Sequence, residues 1–263
     1  MLALTGCGGA SCPKQLITEP SAALASRHYE PSAIQSLRAE AKVDQRGKQG
    51  RVKGRVLMFV ERPDHVRFDA MTQFGPALVL SSDGETFALS DYKEKRFLSG
   101  PACERNIARL IGVAISGEAV TRVLLGDVPE LSAASETVAC SGTGGYAVER
   151  RGQDGSHQRI ELAVNEADFG KAPGEQRSEL RAVTFFNRDN KRLYQVRYED
   201  YKTLGKAGVR LPFTVRIEDF TNGSDAVLRF QSIDLNVRVP TGAFVQTASP
   251  GLRLEDVSCD EAS

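Results

Sequence analysis

The stretch that decides the fold is 101–126, PACERNIARLIGVAISGEAVTRVLLG. Ile107, Leu110, Ile111 and Ala114 recur at the three- and four-residue spacing that puts side chains on one face of a helix, and after Ser116-Gly117 the set Val120, Val123 and Leu124 repeats it. The spacing predicts two short helices. Gly100-Pro101 places a proline near a helical start, Ser116 is positioned to cap the second helix, and Gly126-Asp127 to stop it. The chain on either side reads as short strands. A sheet with one face in water leaves its other face apolar, and a helical pair is a suitable cover for it. Whether that cover closes over a filled core or over a cavity is left open by the spacing.

Upstream of the helices the period is two. Leu37, Ala39, Ala41 and Val43 alternate with Arg38, Glu40, Lys42 and Asp44, and after a turn at 47–50 the residues Val52, Gly54, Val56, Met58 and Val60 share one face. Val66, Phe68 and Ala70 follow, then a turn at 73–76 (Gln73-Phe74-Gly75-Pro76), a strand at 77–80, a hairpin turn at Asp83-Gly84 and strands at 85–90 and 92–98. These six short strands predict an antiparallel meander. Downstream, strands are expected at 135–141, 145–151, 157–164, 177–187, 192–199, 208–220 and 225–236, with Asn222-Gly223 the strongest hairpin signal. A one-residue bulge near Arg229-Phe230 would keep Val227 in phase with Ile233 and Leu235. A helix interrupted by Pro31 is expected over 20–37. The fold class expected is therefore mainly β with short α-helices: an incomplete antiparallel barrel of about 11 to 13 strands covered by helices. No domain boundary is evident after the amino-terminal segment, so 20–263 reads as one domain and 1–19 as a separate leader and tether.

Composition narrows the function. Lysine plus arginine equals aspartate plus glutamate at 34 each, so no global charge draws nucleic acid. Tryptophan is absent and no apolar run is long enough to cross a bilayer as a helix. His28, His65 and His157 stand on different elements without an HExxH pattern or a cysteine at ligand spacing. Ser141-Gly142-Thr143-Gly144-Gly145 lacks a P-loop lysine, and no GxSxG elbow occurs. A non-catalytic protein without cofactor or metal is expected.

The amino terminus reads MLALTGCGGA, in which Leu4-Thr5-Gly6-Cys7 resembles the lipobox of bacterial lipoproteins, a signal sequence shortened here to six residues before the cysteine. That resemblance implies acylation of Cys7, with palmitate-like chains anchoring the body to a membrane surface. Gly8 in place of an aspartate favours the outer membrane, facing the periplasm. Setting Cys7 aside leaves Cys12, Cys103, Cys140 and Cys259, an even number suited to two disulfides in an oxidising compartment, and equally open to remaining free and buried. Of three pairings, position in the chain favours Cys103 with Cys140 and Cys12 with Cys259.

The order of elements resembles the LolA/LolB lipoprotein-localisation fold, and more narrowly an LolB-like outer-membrane lipoprotein. The residues that carry the likeness are the lipobox, the succession Val52-Lys53-Gly54-Arg55-Val56, Val66-Arg67-Phe68-Asp69-Ala70 and Gln73-Phe74-Gly75-Pro76-Ala77, and the helical pair inserted after the sixth strand. The absence of tryptophan departs from that pattern. The resemblance implies a monomeric protein that binds acyl chains or lipoprotein cargo in an apolar cavity, lined here by Met58, Phe68, Leu80, Phe87, Ile107, Ile111 and Leu124. It also implies a membrane-inserting turn, to which Phe74, Gly75 and Pro76 correspond, and a periplasmic carrier protein as a candidate partner. Two classes of function remain: a lipid or lipoprotein carrier, and a structural envelope protein of the same fold with a filled core that binds another protein along a strand edge.

Overall fold

A computed structural model describes residues 12–47, 50–205 and 208–260. Cys7 and the lipobox lie outside the described residues. The elements in chain order are α1 (Pro20–Ala25), β1 (Ser36–Gly47), β2 (Gly50–Glu61), β3 (His65–Thr72), β4 (Gly75–Ser82), β5 (Thr86–Asp91), β6 (Arg96–Pro101), α2 (Glu104–Ile111) and α3 (Gly117–Leu124). They continue as β7 (Ala133–Cys140), β8 (Gly145–Gly152), β9 (His157–Val164), β10 (Ser178–Phe186), β11 (Arg192–Leu204), β12 (Val209–Asp219), β13 (Ser224–Leu235) and β14 (Arg253–Asp256). The protein is mainly β, built on open, incompletely closed antiparallel sheet partly covered by short helices. The chain forms two compact units, one from 1–30 and 131–193, the other from 31–130 and 194–263.

In the first unit β7, β8, β9 and β10 pair antiparallel in that order. The amino-terminal segment docks on them through directed hydrogen bonds. The backbone N–H of Ile17 donates to the Tyr146 hydroxyl at 3.2 Å, that hydroxyl donates to Gln176 Oε1 at 2.6 Å, and Gln176 Nε2 donates to the Gln15 carbonyl at 2.7 Å. Tyr146 and Gln176 are fully buried, so this chain of bonds satisfies polar groups that would otherwise be costly to bury. The helix expected over 20–37 is short: α1 ends at Ala25, where the Ser26 hydroxyl donates to the Ala23 carbonyl and, at 2.7 Å, shares a hydrogen bond with Ser178.

In the second unit the strands run β14-β6-β5-β4-β3-β2-β1-β13-β12-β11. All pairs are antiparallel except β14 with β6. Cross-strand rows define the dry face. Ala39, Met58, Phe68, Leu80, Leu89 and Leu98 are successive neighbours in one row, and Leu37, Val60, Val66, Ser82, Phe87 and Gly100 in the next. Every apolar member of these rows is buried. On β1 the opposite face carries exposed Arg38 and Lys42, the alternation expected of a half-wet sheet. The dry face of β2 begins at Val56, later than the alternation implies, because β3 starts pairing only where Met71 meets Arg55; Val52 and Gly54 are exposed. The bulge falls at Gln231, where the register steps from Ala41↔Phe230 to Glu40↔Ser232. One residue past the expected position, it brings Phe230 into line with Ile233 and leaves Val227 on the other face.

Both helices form in the expected stretch, but α2 spans only Glu104–Ile111, so Ala114 falls beyond it and is exposed, and Pro101 ends β6 instead of opening the helix. Ser116 accepts a hydrogen bond from the Ala119 N–H at 3.1 Å and caps α3, and Gly126 takes the left-handed backbone after it. Val120, Val123 and Leu124 are buried on α3, which packs against β2 and β3.

Both disulfides use the expected cysteines with exchanged partners. Cys12 pairs with Cys140, with Cα atoms 6.0 Å apart, and Cys103 with Cys259, 6.2 Å apart. The favoured pairing of Cys103 with Cys140 and Cys12 with Cys259 is corrected by two placements. The Lys14 N–H donates to the Phe169 carbonyl, holding the amino-terminal segment within the unit that contains Cys140, and β14 runs along β6, ending near Cys103.

Candidate functional site

Six of the seven residues expected to line a cavity are at most 4% exposed: Met58, Phe68, Leu80, Phe87, Ile107 and Leu124. Ile111, at the last turn of α2, is partly exposed. Met58, Phe68 and Leu80 are direct cross-strand neighbours, Phe87 stands in the adjoining row, and the remaining three come from the two helices. The arrangement is thus an apolar sheet face beneath an apolar helical face. Its chemistry is burial without polar selectivity, in which each methylene removed from water contributes about 0.8 kcal/mol.

The helical cover is pinned at three places. Cys103, the residue before α2, is bonded to Cys259. Between the helices, the Ser224 hydroxyl on β13 donates to the Gly112 carbonyl at 2.8 Å, and Gly112 takes the left-handed backbone (φ 75°) that ends α2, a conformation that favours glycine. After α3, the buried Asp127 carboxylate accepts from Arg62 at 3.0 Å and from Arg122 at 3.4 Å, while its backbone carbonyl accepts from the Tyr198 hydroxyl at 3.1 Å. Arg62 also donates to the carbonyls of Ile34 and Pro31. Near α2, burial pushes the Tyr194 phenol well above its ordinary value, and the negative charge of Glu104 adds to the shift.

The turn between β3 and β4 presents the opposite chemistry. Phe74 is 91% exposed. The Thr72 hydroxyl donates to the Gly75 carbonyl at 2.8 Å and accepts from the Phe74 N–H at 3.2 Å, so the turn's polar groups are satisfied locally while the ring points to solvent. Gly75 has φ of 123°, a backbone that disfavours any side chain, and Pro76 is exposed beside it. Val52 and Tyr92, exposed by 63% and 38%, are further large apolar residues at turns of this unit. Period-two reading assigned Val52 to the dry face; the unmatched lengths of β2 and β3 reverse it.

A cleft of about 530 Å³ lies against the other face of β4, β5 and β6. Its floor is the row Ser81, Ala88 and Ser99, and its walls come from Phe244 and Val257 in the carboxy-terminal segment. Of the seven expected cavity residues only Phe87 lines it. Gln246 fastens the segment there. Its Nε2 donates to the Val79 and Ala88 carbonyls and the Ser81 hydroxyl at 3.0–3.1 Å, and its Oε1 accepts from Ser90 at 2.9 Å. All of these partners are distant in the chain, so no local pattern marks Gln246.

The histidines serve packing. His157 is buried and stacked on Phe186 with ring centroids 4.2 Å apart, and His65 lies 5.1 Å from the Phe244 ring. Among the described residues no group of three or more His, Cys, Asp or Glu side chains is placed to hold a metal ion.

An incomplete antiparallel sheet whose apolar face is covered by short helices also occurs in solved proteins of known superfamily. The chain is similar to two solved structures in particular. One is a DUF1329 family protein from Desulfovibrio piger, with a TM-score of 0.54 and 12% identity over 86% of this chain and 95% of that one. The other is a LolA superfamily protein from Nitrosomonas europaea, with a TM-score of 0.50 and 13% identity over 88% of this chain and 99% of that one. At such identity what is shared is the fold. No protein-family model matches the chain, and no curated protein matches it in sequence.

Proposed function

We propose that this chain is a non-catalytic lipoprotein of the bacterial envelope that takes acyl chains, or the acylated end of another lipoprotein, between its sheet and its helical cover. It acts as a monomer at the periplasmic face of the outer membrane, held there through acylated Cys7 and the tether within 1–19. A periplasmic carrier supplies the cargo, and the turn Phe74, Gly75 and Pro76 enters the bilayer as cargo is released. The observation that carries this reading is Phe74: a ring 91% exposed on a turn whose backbone is already satisfied has no role in the protein's own packing. The fold supports it by setting an apolar sheet face beneath helices, and Met58, Phe68, Leu80, Phe87, Ile107, Ile111 and Leu124 are the side chains that would part around a chain.

Native mass spectrometry with lipid extraction tests the cargo. Co-purified acyl species, or saturable uptake of a fluorescent fatty acid that competes with a lipopeptide, are expected; finding neither sinks the carrier reading. A second reading has its own observation. Met58, Leu80, Phe87 and Ile107 are 0–1% exposed, the burial of a filled core. That favours a structural envelope protein of the same fold, and a partner lost on mutation of an edge strand, with no acyl uptake, would establish it.

A further inference from the structure

Four turns of the second unit lie at one end of its sheet, one of them the β12–β13 hairpin that closes at Asp219↔Ser224 with Asp225 opposite Arg46. The β1–β2 hairpin closes at Gly47↔Gly50, the β3–β4 hairpin at Thr72↔Gly75, and the β5–β6 hairpin beyond Asp91↔Arg96, where the Tyr92 N–H donates to the Ala77 carbonyl at 3.0 Å. Because Arg55 is opposite Met71, residues 50–54 of β2 run on past the start of β3 pairing, carrying exposed Arg51, Val52 and Lys53 alongside the Phe74 turn. On the other flank Leu78↔Asp91 brings Tyr92 and Lys93 level with Pro76.

The charge on the β1–β2 and β5–β6 turns is mainly positive, while the neighbouring β12–β13 turn is acidic. Segments 44–55 and 92–95 hold seven lysines and arginines against Asp44 and Glu94, in a chain whose formal net charge is zero. Arg46, Arg51, Lys53, Arg55, Lys93 and Lys95 are exposed. The acids facing them are engaged. Asp44 accepts from Arg51 and lies 3.6 Å from Lys53, Glu40 lies 3.5 Å from Arg55, and Glu94 is 3.9 Å from Lys93. Asp91 caps its own turn, Asp219 holds Thr221 and Asn222, and Asp225 faces Arg216 at 3.7 Å. Exposed apolar side chains at the tips with an excess of cations around them are the two signals of a surface that settles at an anionic headgroup layer.

We infer that the rim formed by Phe74, Val52 and Tyr92 with Arg51, Lys53, Arg55 and Lys93 docks on bilayers rich in anionic phospholipid, the cations selecting the surface before the ring enters it. This rests on the reading of Phe74 as the membrane-facing residue and adds the lipid class to it. Attraction of this kind acts only within about 8 Å at physiological salt, so the selection requires that the tips reach the headgroups.

The chain has no tryptophan, so Phe74→Trp gives the full protein a single tryptophan, placed at the tip and excited apart from the tyrosines at the red edge of their absorption. It would be read with vesicles of phosphatidylcholine alone and with vesicles of phosphatidylcholine and phosphatidylglycerol in equal parts. A blue shift, quenched by bromine on the acyl chains, is expected on the mixed vesicles and weakens as salt is raised. Adding Lys53→Gln and Lys93→Gln should lower partition to mixed vesicles about 25-fold, roughly fivefold per charge, and leave phosphatidylcholine unaffected. Equal shifts on both vesicle types would overturn the anionic selection and leave insertion standing. No shift on either would overturn the membrane reading of Phe74 itself. A shift that follows protein concentration without lipid would assign the rim to a second copy of the chain and overturn both.

Discussion

The strands β3 to β6 carry a different cover on each face, and the two are held by different physics. On the face that α3 covers lie large apolar side chains, Phe68 and Leu80 among them, so that cover is attached mainly by area, with directed bonds at the Gly112 turn between the helices and at Asp127 after them. On the reverse, the floor is small and polar, Ser81, Ala88, Ser90 and Ser99, and the segment 243–257 is attached by aim: four hydrogen bonds from one glutamine amide, the Arg67 guanidinium on the Ala243 carbonyl at 3.0 Å, and the ladder of β14 along β6. Area tolerates sliding, whereas directed bonds do not. Under the function proposed above, a cover that parts for an acyl chain is better attached by the first kind, as the helices are.

Three changes separate the two modes. The largest effect is expected from Asp127→Ala, which leaves Arg62, with its side chain only 15% exposed, without its carboxylate and frees the end of α3. Removing one partner of a buried ion pair costs about 3–5 kcal/mol, so the midpoint of urea unfolding should fall accordingly; a loss under about 1 kcal/mol would mean that the pin is dispensable. Gln246→Ala is expected to cost about 1–3 kcal/mol, mainly by leaving the buried carbonyls and hydroxyls of β4 and β5 without their partner. Hydrogen exchange should quicken across 243–257 and leave α2 and α3 unchanged, and equal acceleration in both would erase the distinction between the covers. The smallest effect belongs to Asp44, whose carboxyl the hydrogen bond from Arg51 lowers from 3.8 to about 2. The folded state then binds this proton less readily than the unfolded chain. The contribution is complete above the unfolded value and is lost as pH falls from 3.8 through about 2. Asp44→Asn should flatten stability against pH in that window alone, and an unchanged profile would contradict the assignment.

What could be read before the structure, and what could not, follows the range of the forces involved. The two helices, the cap at Ser116 and the turns at Asp83-Gly84 and Asn222-Gly223 depend on residues within four positions of one another. Asp83, for instance, accepts from the N–H groups of Glu85 and Thr86 just after it. The apolar rows were legible because alternation places Met58, Phe68 and Leu80 on one face whichever strands they meet. β14 was not, because the alternation Leu252-Arg253-Leu254-Glu255 is too short to mark a strand, and the segment becomes one by lying parallel to Arg96–Ser99. The disulfide partners depend on that placement, so they were illegible for the same reason. Phe74 is intermediate: the turn was evident, but whether its ring turns inward or outward is decided by the Thr72 hydroxyl, a choice periodicity does not register.

The close passage of the carboxy-terminal segment over Gly100 has a further consequence. A Cβ at that position would stand 2.0 Å from the Val257 carbonyl oxygen, and it is the bare glycine that lets Val257 donate to the Ser99 carbonyl at 2.8 Å and keeps the segment in register with β6. The edge of β6 is thereby occupied by the chain's own end. What faces outward in its place is four residues long and bears Arg253, Glu255 and Asp256. A strand so short and so charged is a poor template for another polypeptide. One missing methyl group thus keeps this end of the sheet from recruiting unfolded neighbours.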